Sequence, residues 1–222
     1  MSVSTVIFDM DGLMFDTERL ARDAWERAMA EWGCRIPDAL YLSVVGRTAQ
    51  SAQEVFRQAL GADLPMEAIC QRKEQYLENA LAQQGPPLKP GLLELLAQLE
   101  QWSVPRAVAS STARHRVVDR LAQAGVSEYF SVIVGGDDVV HGKPAPDLFL
   151  SAARQLGVAP SECVVLEDSD AGIHAASAAG MVSVMVPDLK PPTDESGRLA
   201  LRVASSLHDA QGVLAEMLGF RI

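Results

Sequence analysis

The order of apolar and polar positions changes character along the chain. Val3 to Phe8 is a short β-branched run that stops at Asp9-Met10-Asp11-Gly12, as a buried strand closed by turn residues does. Between residues 17 and 87 the period lengthens. Leu20, Ala24, Trp25, Ala28, Met29 and Trp32 recur at helical spacing, as do Ala52, Val55, Phe56, Ala59 and Leu60, and then Ile69, Tyr76, Leu77, Ala80 and Leu81. No strand is predicted there. After the breakers Gly85-Pro86-Pro87 and Lys89-Pro90-Gly91, helix and strand alternate. Helices are predicted over 92–99, 117–124, 147–156, 171–179 and 207–218, and strands over 104–109, 132–134, 164–166 and 182–186. Pro187 to Arg198, rich in Pro, Asp and Ser, reads as a surface loop. Alternation of this kind predicts an α/β fold, a doubly wound parallel sheet covered on both faces. The expected organisation is an α/β core of residues 1–16 and 88–222 with an all-helical domain, residues 17–87, inserted into it.

Composition narrows the function classes. With 222 residues, 48% hydrophobic and 22% charged, the chain can build a packed core and does not read as disordered. Its net charge of −10 repels phosphate backbones, so nucleic acid is not an expected partner. A site for a small phosphate then needs local positive charge, which a metal ion would supply. Cys34, Cys70 and Cys163 are odd in number and widely spaced. They form neither a zinc pattern nor a disulfide framework, and reduced cysteines are expected. No positive charge precedes the first apolar run, and no apolar stretch reaches the length of a membrane span. A cytoplasmic, monomeric protein without a membrane partner is the expectation.

In an open parallel sheet, ligands bind outside the carboxyl ends of the strands. Four predicted strand ends carry polar clusters: Asp9 and Asp11; Ser110, Ser111 and Thr112; Asp137 and Asp138 leading to His141-Gly142-Lys143-Pro144; and Glu167 with Asp168. Right-handed crossovers place all four on one edge. Clustered carboxylates need a cation to stay ionised, and hard oxygens without His or Cys suit magnesium. One carboxylate can attack phosphorus. Another, two residues on, can protonate the leaving alcohol and then activate water. A hydroxyl and a lysine can hold the phosphoryl oxygens. Each cluster alone has a plainer reading: a turn for Asp-X-Asp-Gly, a helix N-cap for Ser-Ser-Thr, a loop for Lys-Pro, a helix start for Glu-Asp. All four in order at successive strand ends favour a shared site.

The same residues carry a resemblance. Phe8-Asp9-Met10-Asp11-Gly12-Leu13, Ala109-Ser110-Ser111, Gly142-Lys143-Pro144-Ala145-Pro146-Asp147 and Leu166-Glu167-Asp168-Ser169 resemble the four motifs of the haloacid dehalogenase-like superfamily. Within it the chain is most similar to the branch holding beta-phosphoglucomutase and related sugar-phosphate phosphatases. The resemblance implies a Mg2+-dependent phosphatase of a small phosphorylated metabolite that works through an aspartyl phosphate. It implies Asp9 as nucleophile and Asp11 as general acid and base. Ser110 and Lys143 hold the phosphoryl group. The metal site is formed by Asp9, the backbone carbonyl of Asp11, Asp168 and Glu167, the last directly or through water. The helical insert becomes a mobile cap; Ser111 in the core and Arg47 and Glu18 in the insert are the substrate-binding candidates. For Glu18 a place at the start of the first insert helix is the alternative. Beta-phosphoglucomutase carries a cap histidine where this chain has Ala21, so hydrolysis is expected rather than sugar mutation. The competing readings are a phosphomutase and, from another class, a phospho-aspartate signalling module. Trp25 and Trp32 are expected in the insert's core, and His115 and His174 on helix surfaces.

Overall fold

A computed structural model of the chain describes residues 3–45 and 49–220. The chain divides into two compact units, Met1–Phe15 with Leu88–Ile222, and Asp16–Pro87. In chain order, the first unit opens with strand β1 (Thr5–Phe8), and the second carries helices α1 (Thr17–Ala30), α2 (Asp38–Val44), α3 (Ala49–Leu60) and α4 (Met66–Gln84). The first unit resumes with α5 (Leu92–Gln101), β2 (Arg106–Ala109), α6 (Arg114–Gln123), β3 (Val132–Val134) and α7 (Asp147–Leu156). It ends with β4 (Cys163–Glu167), α8 (Asp170–Ala178), β5 (Val182–Met185), α9 (Asp194–Leu199), β6 (Arg202–Val203) and α10 (Leu207–Leu218).

All six strands of this unit are parallel, in the order β3-β2-β1-β4-β5-β6. Their apolar runs are continuous because both faces are covered. On one face Val6, Phe8, Val108, Val164 and Leu166 pack with Leu95 and Leu99 of α5, Val117 and Leu121 of α6, and Leu214 of α10. On the other, Ile7, Ala107, Ala109 and Val165 pack with Leu148 and Phe149 of α7 and Ala175 of α8. Successive strand residues point to opposite faces, so the Val6-Ile7-Phe8 triplet feeds both cores. The fold is the expected α/β doubly wound parallel sheet.

The region 187–198 departs from its reading as a plain loop. Its end is α9, whose N-cap Thr193 accepts a hydrogen bond from Ser196 N at 3.2 Å. Thr193 and Ser196 also bond Asp170 at the head of α8. The segment is helical through polar contacts, which hydrophobic periodicity does not register.

Among its described residues the second unit carries helices joined by turns, and no strand. Ala24 of α1 packs with Leu77 and Leu81 of α4, and Trp25 meets Phe56 of α3 with ring centroids 4.9 Å apart. Trp32, expected in this core, is instead 37% exposed. It lies past the end of α1, where Trp32 N caps onto Met29 O at 3.0 Å and the helical stripe no longer directs it inward. Glu18 lies in the first turn of α1, where a carboxylate favours the helix dipole. Its carbonyl accepts the Tyr41 hydroxyl at 3.1 Å. Arg47, the other insert candidate, lies outside the described residues.

Candidate active site

The strand order reverses between β1 and β4, the point at which open parallel sheets bind ligands, beyond the strands' carboxyl ends. Asp9 N donates to Leu166 O at 3.0 Å, extending the β1–β4 ladder one step. That step sets Asp9 beside Glu167, the last residue of β4. After Asp9 the chain turns sharply, with Met14 N and Phe15 N both donating to Met10 O at 2.9 and 3.1 Å. Gly12 holds this turn at φ +88°, and a methyl group there would sit 2.8 Å from Asp168 Cγ. Only glycine lets the turn lie against Asp168 without strain.

Lys143, from the loop between β3 and α7, reaches into this cluster. Its Nζ pairs with Asp9 Oδ1 and lies 2.6 Å from Glu167 Oε1, with the lysine side chain 6% exposed. The ammonium stands over the Phe149 ring, 4.9 Å from its centroid, a favourable cation–π placement. Burial works against the lysine's charge, but Asp9 and then Glu167 outweigh it and hold the ammonium above the usual lysine range. Burial pushes the Asp9 carboxyl up to about 8; Lys143 opposes that push, and Glu167 and Asp11 add to it. The other oxygen of Glu167, Oε2, accepts Ser169 N at 2.6 Å and Ser169 Oγ at 2.9 Å. Glu167 is thus a buried carboxylate with partners on both oxygens.

Asp11 is gripped from the adjacent side. Thr112 Oγ1 donates to its Oδ2 at 2.7 Å, and Arg120 Nη1 of α6 to its Oδ1 at 2.7 Å. Ser110 extends the β2–β3 ladder through Ser110 N to Val134 O at 3.0 Å, and its hydroxyl accepts Thr112 N at 3.1 Å. The plainer N-cap reading of Ser110-Ser111-Thr112 does not hold, while Glu167 and Asp168 do stand just ahead of a helix. The N-cap of α6 is Ala113, which has no side chain to cap with, and the N-cap of α8 is Ser169 rather than Glu167 or Asp168. The structure therefore brings Asp9, Asp11, Ser110, Lys143, Glu167 and Asp168 to one sheet edge. Ser111 is exposed, and its carbonyl faces Gly136, where a methyl would bring carbonyl carbon and Cβ to 2.9 Å.

Among the described residues, Asp9, Glu167 and Asp168 each offer a carboxylate oxygen within 4.8 Å of the others. Three hard oxygen donors with no His or Cys suit Mg2+. A divalent cation among them would also favour the ionised form of Asp9 against the push of burial. The residues fit the metal.

Two contributors, Arg120 and Phe149, escape a reading by motif. Arg120 is 6% exposed on a helix face shared with Val117 and Leu121. Its signal in the sequence is a charge at a core-facing position of an apolar stripe. Phe149 reads as ordinary core. Gly12 and Gly172 matter for the side chains they leave room for, Asp168 and Glu167.

Comparison with known proteins agrees with this geometry. A family model described as haloacid dehalogenase-like hydrolase matches residues 3–180. A fructose-1-phosphate phosphatase of Escherichia coli is 34% identical over 183 residues, covering 82% of this chain and 95% of that protein. A phosphorylated carbohydrates phosphatase of Thermotoga maritima is 32% identical over 179 residues, covering 81% and 82%. A conserved haloacid dehalogenase-like protein of Agrobacterium tumefaciens superposes with a TM-score of 0.85 at 29% identity, over 97% of this chain and 99% of the other. Motif order, sheet topology and these likenesses meet on one conclusion: the chain belongs to the haloacid dehalogenase-like hydrolases.

Proposed function

We propose that this enzyme is a Mg2+-dependent phosphatase of small phosphorylated metabolites, with Asp9 as the nucleophile. The observation that carries the reading is the buried contact of Asp9 with Lys143 beside Glu167 and Asp168, at the point where the strand order reverses. A carboxylate, a fixed ammonium and further acids at one spot suit phosphoryl transfer. In the first step an Asp9 oxygen attacks phosphorus, the bond to the leaving oxygen breaks, and Asp11 gives that oxygen a proton. In the second, water attacks phosphorus and Asp11 takes the water's proton. The Asp9–phosphorus bond then breaks and inorganic phosphate leaves. Lys143 and Ser110 hold the phosphoryl oxygens through both steps. Asp9, Asp168, the Asp11 carbonyl and Glu167 would hold Mg2+, which when bound offsets phosphoryl charge. The named phosphatases among the relatives support small phosphate esters as the substrate class.

The test is phosphate release from fructose 1-phosphate, glucose 6-phosphate, uridine monophosphate and phosphoglycolate, with Mg2+ and with EDTA. Wild type should release phosphate from at least one compound with Mg2+ only, and Asp9→Asn from none. Release that persists in EDTA, or in Asp9→Asn, overturns the mechanism. No release from any compound overturns the phosphatase reading.

A further inference from the structure

The pair between Arg120 and Asp11 has no role in the chemistry described so far. Arg120 belongs to α6, on the face that sends Val117 and Leu121 into the core. An apolar residue is the ordinary occupant of such a position. A guanidinium there loses its hydration, and only a well-made pair offsets that loss. The pair is well made: Arg120 Nη1 meets Asp11 Oδ1 at 2.7 Å, with the arginine side chain 8% exposed and that of Asp11 23% exposed. Thr112 Oγ1 takes the other oxygen at the same distance, 2.7 Å. Thr112 is itself anchored by its backbone N–H on Ser110 Oγ at 3.1 Å. Each oxygen of the carboxyl group therefore has a donor of its own, one from α6 and one from the turn after β2. Two donors from separate elements fix the rotation of a short side chain, which one donor would leave free.

We infer that Arg120 is a positioning residue, which together with Thr112 fixes the Asp11 carboxyl for proton transfer to the leaving oxygen. The inference rests on the reading of Asp11 as the proton donor. A misplaced donor handicaps esters whose leaving group must be protonated. It leaves p-nitrophenyl phosphate nearly unaffected, because p-nitrophenolate departs without a proton. General acid–base catalysis contributes roughly 10²–10⁴-fold, and loss of its positioning should remove a part of that.

The experiment measures kcat/KM, which reports the steps up to cleavage of the leaving group, for two esters. One is p-nitrophenyl phosphate. The other is the alkyl ester turned over fastest among fructose 1-phosphate, glucose 6-phosphate and uridine monophosphate. Arg120→Met should lower the alkyl value by roughly 10–100-fold more than the aryl value, and Arg120→Lys should recover part of the difference. Equal losses on both esters would mark Arg120 as a structural staple and overturn the inference. Asp11→Asn separates the two levels. If it discriminates between the esters and Arg120→Met does not, the positioning role alone falls. If Asp11→Asn fails to discriminate, its role as proton donor falls and the inference with it. Should Arg120→Met not fold, Thr112→Val and Arg120→Lys decide by the same ratio.

Discussion

Gly172→Ala sets two well-understood effects against each other. Gly172 lies in the first turn of α8, and replacing a helical glycine by alanine ordinarily stabilises by about 1 kcal/mol. Here the added methyl would sit 2.5 Å from Glu167 Cγ and nearer still to its carboxyl group, against about 3.5–4.0 Å for a comfortable carbon contact. Glu167 must retreat by roughly 1.5–2 Å, and it has nowhere to go. One oxygen is fixed by Ser169 N and Oγ and the other by Lys143, at 2.6, 2.9 and 2.6 Å. Breaking a buried pair of this kind costs about 3–5 kcal/mol, so the collision outweighs the helix term by about 2–4 kcal/mol. Thermal unfolding followed by circular dichroism should show Tm lower by roughly 5–15 °C. Phosphate release should fall by about 10²-fold, because Lys143 loses one of its two anchors. A Gly172→Ala protein at least as stable as wild type, with full activity, would show that Glu167 is not held as described and would refute the reasoning.

Two further outcomes follow from the same geometry. Ser169→Ala removes both the acceptor for Gly172 N at 3.1 Å and the hydroxyl that bonds Glu167. It should cost about 1 kcal/mol as a lost cap, read as a Tm a few degrees lower, and an unchanged Tm would contradict the capping role. Burial, aided by Glu162, pushes the Cys163 thiol from its usual 9.0 up to about 11. Between these values the folded chain holds a proton that the unfolded chain has released, so stability falls as pH rises through the window and is unaffected below it. Urea unfolding should therefore lose free energy between pH about 9 and about 11 more steeply in wild type than in Cys163→Ala; parallel profiles would exclude the effect.

The strands and their polar ends were legible because two covered faces turn each central strand into an unbroken apolar run, and a run that stops at an acid is conspicuous. Asp147–Leu156 and Leu207–Leu218 were read to the residue, since each combines an apolar stripe with a glycine just past its end, Gly157 and Gly219. Helix α2 escaped because its seven residues bury only Tyr41 and Val44, too few to show a period. Strand β6 escaped because it has two residues, both exposed. In the site, the motif residues could be read as a set. The grip on Asp11 could not, because Arg120 lies 109 positions away along the chain and only the packing of α6 brings it near.

Where the helical insert leaves and rejoins the sheet unit, the backbone is paired. Phe15 bridges Leu88 in one unit, and Asp16 N donates to Pro87 O at 2.8 Å in the other. From the viewpoint of the sheet, everything between is one loop with neighbouring ends. The entropy of closing a loop grows only with the logarithm of its length, about 0.6 kcal/mol per doubling. Lengthening, shortening or exchanging the insert therefore makes little demand on the strand ends that carry Asp9 and Glu167 or on the β3–α7 loop that carries Lys143. Paired ends of this kind would let drift, recombination or selection alter the inserted helices while the sheet keeps its chemistry.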